Sequence, residues 1–242
     1  GDVYKRQGLL GLLSTFGMLG RTSRLKVFAP ECYASLFEQQ MNFFMQGMTY
    51  EIEFVPVDTT QQKVVYEDHS VTVETVPLRH RVPCCGYIFR EKPTLPHIRR
   101  DMIDYYGIPL SQINNIKNGA DWTTPEGDIV PNSRLVEPAD APRSYAYCSD
   151  TCYLPDLYER VKDVTVLYHE STYTSENEDR AKIYYHSTAR QAALVAQKAG
   201  AGRLLLGHYS ARYNNENVLL EEAKAVFPES YLAQEGMVFE VK

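Results

Sequence analysis

The spacing of hydrophobic and polar positions changes several times along the chain, and each change predicts an element. Val71–Val76 alternates with period two, as a strand buried on one face does. Leu25–Phe28, Glu51–Val57, Lys63–Tyr66 and Cys85–Phe89 are short apolar runs that predict further strands. After the first of these, Pro30 stands where a helix can start, and Tyr33–Met45 follows with Leu36, Met41, Phe43 and Phe44. From Tyr145 onward strand and helix alternate: Tyr145–Ser149, Leu154–Val161, Val164–Tyr168, Thr188–Ala199, Arg203–Leu206 and Val218–Phe227. In the last helix Leu219, Leu220, Ala223, Val226 and Phe227 form one stripe. Such alternation predicts a layered α/β domain, here two sheets sandwiched between helices. Met237–Lys242 alternates like a closing strand.

Two segments depart from this pattern. Gly8–Gly20 is apolar but holds Ser14 and Thr15, with Gly11 and Gly17 as breakers. It falls short of the roughly 18 apolar residues that a membrane span needs, and predicts a buried helix. Glu91–Asp128 is rich in Pro, Asn, Asp and Tyr and has weak apolar periodicity. It predicts two short helices, His97–Tyr106 and Leu110–Lys117, joined by Gly107-Ile108-Pro109, in an insertion that protrudes from the main domain.

Composition narrows the function class. With 242 residues, 44% hydrophobic and 23% charged, the chain is an ordinary globular protein, not a disordered or fibrous one. A net charge of -6 argues against a general DNA-coating protein, while leaving room for a nuclease with a local basic groove. The five cysteines (Cys32, Cys84, Cys85, Cys148 and Cys152) are odd in number and irregularly spaced. That excludes a disulfide framework, and no second pair matches Cys148 and Cys152 as a zinc ribbon requires. The chain shows no signal-peptide pattern, and the thiols predict a reduced, cytoplasmic protein.

Three polar residues stand where predicted strands end: His80 after Val71–Val76, Asp150 after Tyr145–Ser149 and His208 after Arg203–Leu206. Side chains beyond the carboxyl ends of strands in layered α/β folds converge on one rim. His and Asp there are metal-ligand types, and a carboxylate can bridge two metal ions. Each residue taken singly also fits a structural part, Asp as a cap or turn residue and His as a half-buried polar group. Tyr168–Thr172 and Tyr185–Thr188 hold a second group, in which Glu170 can orient His186 as an acid or phosphate contact; simple helix capping by Ser187 or Thr188 accounts for part of the same pattern. In Gly207–Tyr213, Arg212 fits a phosphate contact and Tyr213 a base-stacking position, while an exposed Arg is also ordinary surface.

Taken in order, Gly8–Arg21, Pro77–His80, Ser149–Thr151, His169–Thr172, Tyr185–Thr188 and Gly207–Tyr213 resemble ribonuclease Z, the tRNA 3′-processing endonuclease family of the metallo-β-lactamase superfamily. The resemblance covers almost the whole chain from Gly8. It implies an αββα sandwich, two zinc ions per complete subunit, a precursor-tRNA substrate and a cytoplasmic homodimer, with no membrane or DNA partner. It implies that His80 and His208 are zinc ligands, Asp150 the bridging ligand, and His186 with Glu170 the catalytic pair. Arg212, Tyr213 and, in the insertion, Lys117 are the implied substrate contacts. The insertion at 91–128 resembles the family's tRNA-gripping arm.

The family's His-x-His-x-Asp-His segment precedes the stretch that matches Gly8, and the chain does not contain it. The opening residues 1–7 look like a non-native leader. Together these imply a sandwich missing its first strands, and an expectation that the chain as written is inactive although its parent is a zinc endoribonuclease. The competing expectations are another phosphodiesterase or esterase of the same fold, and a non-catalytic fragment that binds tRNA or dimerises.

Overall fold

The computed structural model describes residues 3–44 and 47–241. Gly1 and Asp2 of the expected leader, Met45 at the end of the expected second helix and Lys242 of the expected closing strand lie outside the described residues. In chain order the elements are α1 (Val3–Met18), β1 (Leu25–Pro30), α2 (Ala34–Phe44), β2 (Ile52–Val57), β3 (Val64–Glu67), β4 (Val71–Pro77) and β5 (Cys85–Glu91). Then come β6 (His97–Ile98), α3 (Arg100–Tyr106), α4 (Leu110–Lys117), β7 (Trp122–Thr123), β8 (Ile129–Val130), α5 (Asn132–Leu135) and β9 (Val136–Glu137). The chain closes with β10 (Ser144–Cys148), α6 (Leu157–Arg160), β11 (Val166–Glu170), α7 (Glu178–Tyr184), α8 (Ala189–Ala199), β12 (Arg203–Gly207), α9 (Asn217–Lys224) and β13 (Ser230–Leu232).

A seven-stranded mixed sheet, in the order β13-β12-β11-β10-β5-β4-β3, carries the structure. β10, β11, β12 and β13 run parallel, and β5 and β10 pair antiparallel. The three central residues of β12, Leu204–Leu206, are all buried, as expected of a parallel strand covered on both faces. α8 turns Ala189, Ala192, Ala193, Ala196 and Ala199 inward, and these small side chains let it lie close to the sheet. Thr188 starts α8 with a capping box: its hydroxyl accepts from the Gln191 N–H, and Gln191 returns a bond to the Thr188 N–H. Gly200, with φ 65°, ends the helix in the left-handed conformation. Against this core pack Leu157 and Val161, and Leu219 and Ala223 of α9. β1 and β2 form a separate parallel pair, with Leu13, Tyr33 and Phe37 as the core beside it.

The chain divides into two compact units. One holds Gly1–Asp68, Thr72–Arg90 and Ser144–Lys242; the other holds His69–Val71 and Glu91–Arg143. The second has its own core of Ile108, Ile116, Val130 and Leu135. The sequence reading ended this segment at Asp128; the compact unit runs on to Arg143 and includes Val130 and Leu135.

Several elements differ from the sequence expectation. α1 is not a buried helix: Leu13 is its one fully buried side chain among the described residues, and Leu12 is half exposed. His97 and Ile98 pair as a strand with Glu137 and Val136, so α3 begins only at Arg100. The helix expected at Leu154 starts at Leu157, because Pro155 keeps the residue before it out of the helical region. β11 lies two residues later than expected, which puts Glu170 inside the strand. Residues 237–241 form no strand; Val238 is almost fully exposed and no neighbouring strand pairs with it among the described residues. The cysteines are free thiols. Burial pushes the Cys84 thiol up to about 11 and that of Cys148 to about 12, so both stay protonated near neutral pH.

Candidate active site

Asp150 stands two residues past the end of β10, Glu170 closes β11 and His208 follows β12. Three parallel neighbours thus deliver their side chains to one rim, in the position where layered α/β folds bind ligands. His186 arrives from the turn between α7 and α8, where its N–H bonds to the Ala181 carbonyl at 2.8 Å. Donor atoms of Asp150, Glu170, His186 and His208 all lie within 4.8 Å of one another.

Two pairs make up the cluster. His208 Nε2 stands 3.1 Å from Asp150 Oδ1. His186 Nδ1 stands 2.9 Å from Glu170 Oε1. Glu170 is fully buried, and its two oxygens accept from every side: Oε1 also from the Thr151 N–H at 2.7 Å, Oε2 from the Thr172 hydroxyl at 2.6 Å and the Ser187 N–H at 3.0 Å. Burial raises the Glu170 carboxyl, but the His186, Ser187 and Thr172 bonds outweigh it and hold the group below the usual carboxylate range. Four donors thus occupy the Glu170 carboxylate, one of them the His186 ring.

The backbone marks the same place. Asp150 (φ 55°) and His208 (φ 59°) sit in the left-handed region, as does Tyr185 (φ 60°). Residues other than glycine adopt this conformation at a cost, and such strain concentrates at functional sites. The Tyr185 carbonyl accepts from His80 Nδ1 at 3.0 Å. The rings of His80, His186 and His208 then follow in a row, with centroids 5.2 and 5.1 Å apart.

The donor set fits a metal. One carboxylate and imidazole nitrogens are zinc-type donors, and a tetrahedral zinc at about 2.0–2.2 Å from each donor spaces them roughly 3.3–3.5 Å apart. The observed 3.1 Å between His208 Nε2 and Asp150 Oδ1 is close to that spacing.

The remaining sequence candidates fall in three places. Arg212 lies beside the cluster: its guanidinium is 5.1 Å from the Tyr173 ring centre, and that ring is 6.2 Å from His186. It donates to Asn177 Oδ1 and Ser210 Oγ. Tyr213 packs against the main core, and its hydroxyl accepts from the Thr174 N–H at 2.9 Å, so the ring has a structural task. Lys117 ends α4 in the other compact unit. Sequence reasoning passed over Thr151, Ser187 and Thr172 as partners of Glu170. Only the i+2 spacing of Thr172, which returns it to the Glu170 side of the strand end, offered a signal.

Comparison with known proteins gives the chain's relatives. No family model matches the chain. It is 50% identical over 230 residues to a protein named Ribonuclease Z from Bacteroides fragilis strain YCH46, covering 95% of this chain and 76% of that protein. A Ribonuclease Z from Bacteroides thetaiotaomicron is 48% identical over 95% of this chain and 73% of its own. Among solved structures, the short form of human tRNase Z superposes with a TM-score of 0.61 at 18% identity, covering 97% of this chain and 74% of that one. The metallo-β-lactamase-fold protein YhfI from Bacillus subtilis gives 0.60 at 16% identity, covering 95% and 70%.

Proposed function

The chain belongs to the ribonuclease Z family of endoribonucleases, and from that premise we propose that it removes the 3′ trailer of precursor tRNA with zinc at the rim described above. One observation carries this reading: Asp150, His208, His186 and Glu170 converge at the ends of parallel strands in a chain half identical to proteins named for that activity.

In this reading Asp150 and His208 hold metal, His80 is a further ligand, and a complete subunit binds two zinc ions. Bound there, zinc would supply positive charge to the scissile phosphodiester and help activate water. The chain's own residues do the rest. Glu170 holds His186 by Nδ1, which leaves Nε2 as the atom able to pass a proton to the leaving oxygen. Arg212, steadied by Tyr173, Asn177 and Ser210, offers a guanidinium to a neighbouring phosphate. The separate unit built on Glu91–Arg143, with Lys117 on it, serves as the arm that grips tRNA by shape and backbone. Such local binding reconciles a net charge of -6 with an RNA substrate. We place the protein in the cytoplasm as a homodimer; no helix among the described residues is long and apolar enough to cross a membrane.

The test is cleavage of a precursor tRNA with a 3′ trailer, by the 242-residue chain and by any longer form that its genomic reading frame encodes. Metal-dependent trailer release that His186→Ala reduces about 100-fold or more supports the reading. Turnover of a small model phosphodiester with no action on precursor tRNA by either form would overturn it.

A further inference from the structure

The hydrogen bonds of Glu170 continue beyond His186. Thr172 Oγ1 lies 2.6 Å from Glu170 Oε2, 2.8 Å from His208 Nδ1 and 3.0 Å from the His208 carbonyl oxygen. A hydroxyl has one proton to donate. The carboxylate and the carbonyl can only accept, and the short contact to the charged carboxylate is the stronger. That leaves Thr172 to accept from His208, so Nδ1 of this imidazole carries a proton. A neutral imidazole that donates from Nδ1 presents its lone pair at Nε2. His208 Nε2 is the atom that faces Asp150 Oδ1. His80 is held in a parallel way, with its Nδ1 on the Tyr185 carbonyl.

We infer that Thr172 is a positioning residue: its hydroxyl, anchored by Glu170, sets the tautomer and ring orientation of His208 so that Nε2 faces the metal. This deepens the metal-centre reading above and rests on it. Thr172 then joins the two halves of the site, His186–Glu170 and His208–Asp150, into one hydrogen-bonded chain. Glu170 acts on both halves, on His186 directly and on His208 through the Thr172 hydroxyl. The segment Glu170-Ser171-Thr172 is thus a structural unit of the site in which the first and third side chains share one bond. Thr172 is itself buried, so bulk water is kept from replacing its hydroxyl.

The experiment compares wild type, Thr172→Val and Thr172→Ser in two measurements. The first is nitrogen NMR of the His208 ring in the metal-free protein, with thermal unfolding of each variant as a check that it folds. Wild type and the Ser variant are expected to show a proton held at Nδ1, and the Val variant a mixture of ring states at Nδ1. The second is zinc affinity by competition with a chelating dye. The Val variant is expected to bind about 10–100-fold more weakly and the Ser variant close to wild type. A Val variant with the wild-type tautomer, or with unchanged zinc affinity, overturns the inference. If wild type itself binds no zinc, the metal-centre reading fails, and the tautomer comparison alone decides whether Thr172 orients His208.

Discussion

Glu170 accepts four hydrogen bonds in a place that bulk water does not reach, and three of its partners belong to chain segments far from it in sequence. Glu170→Gln replaces one acceptor with an NH₂ group that faces donors. The expected cost is about 1–3 kcal/mol, measured by denaturant unfolding. The pH dependence has a definite sign. The folded-state pKa of Glu170 is depressed, so its contribution is complete above the ordinary value of 4.5 and is lost as pH falls through the lower folded value. The stability gap between wild type and Glu170→Gln therefore closes on acidification. A gap that is absent at neutral pH, or that widens in acid, contradicts this account. At this scale part of the clustering was legible in the sequence. His80, Asp150 and His208 stood out as polar residues beyond predicted strands, and Glu170 and His186 as a His–carboxylate pair; the structure gathers Asp150, Glu170, His186 and His208, with the His80 ring next to that of His186. Apart from His186, the partners of Glu170 were not legible, because two of them are backbone N–H groups, of Thr151 and Ser187, which every residue type but proline supplies.

Among the elements, α8 shows most directly how local sequence positions the site. Its cap, Thr188, stands two residues after His186, and the Ser187 N–H between them binds Glu170. Thr188→Ala removes the side-chain half of the capping box. It is expected to cost about 1 kcal/mol, read from chemical denaturation, with Thr188→Ser recovering most of it. Strongly patterned elements such as β4, α8 and α9 were legible because one face is buried and the period repeats. The errors came where a neighbour decides the outcome. His97–Ile98 becomes a strand because Val136–Glu137 pairs with it. The alternation at 237–241 yields no strand because none of the described residues pairs with it.

Across the whole molecule, the two compact units each close their own core. Leu135 is fully buried in the smaller one. Leu135→Ala is expected to destabilise that unit by about 2–5 kcal/mol. Hydrogen exchange should show faster amide exchange confined to residues 91–143, with the strands of the seven-stranded sheet unchanged. Equal loss of protection in β11 and β12 would contradict separate cores. The division was legible as a loss of apolar periodicity, but its far boundary was not, because Val130 and Leu135 join that core across a stretch rich in turn residues. The account as a whole depends on the rim where β10, β11 and β12 end. Its most direct test is anomalous X-ray diffraction at the zinc edge from crystals of the 242-residue protein grown with zinc. The account predicts a zinc peak within bonding distance of both Asp150 and His208 Nε2. A peak only at other residues, or none at saturating zinc, would contradict it.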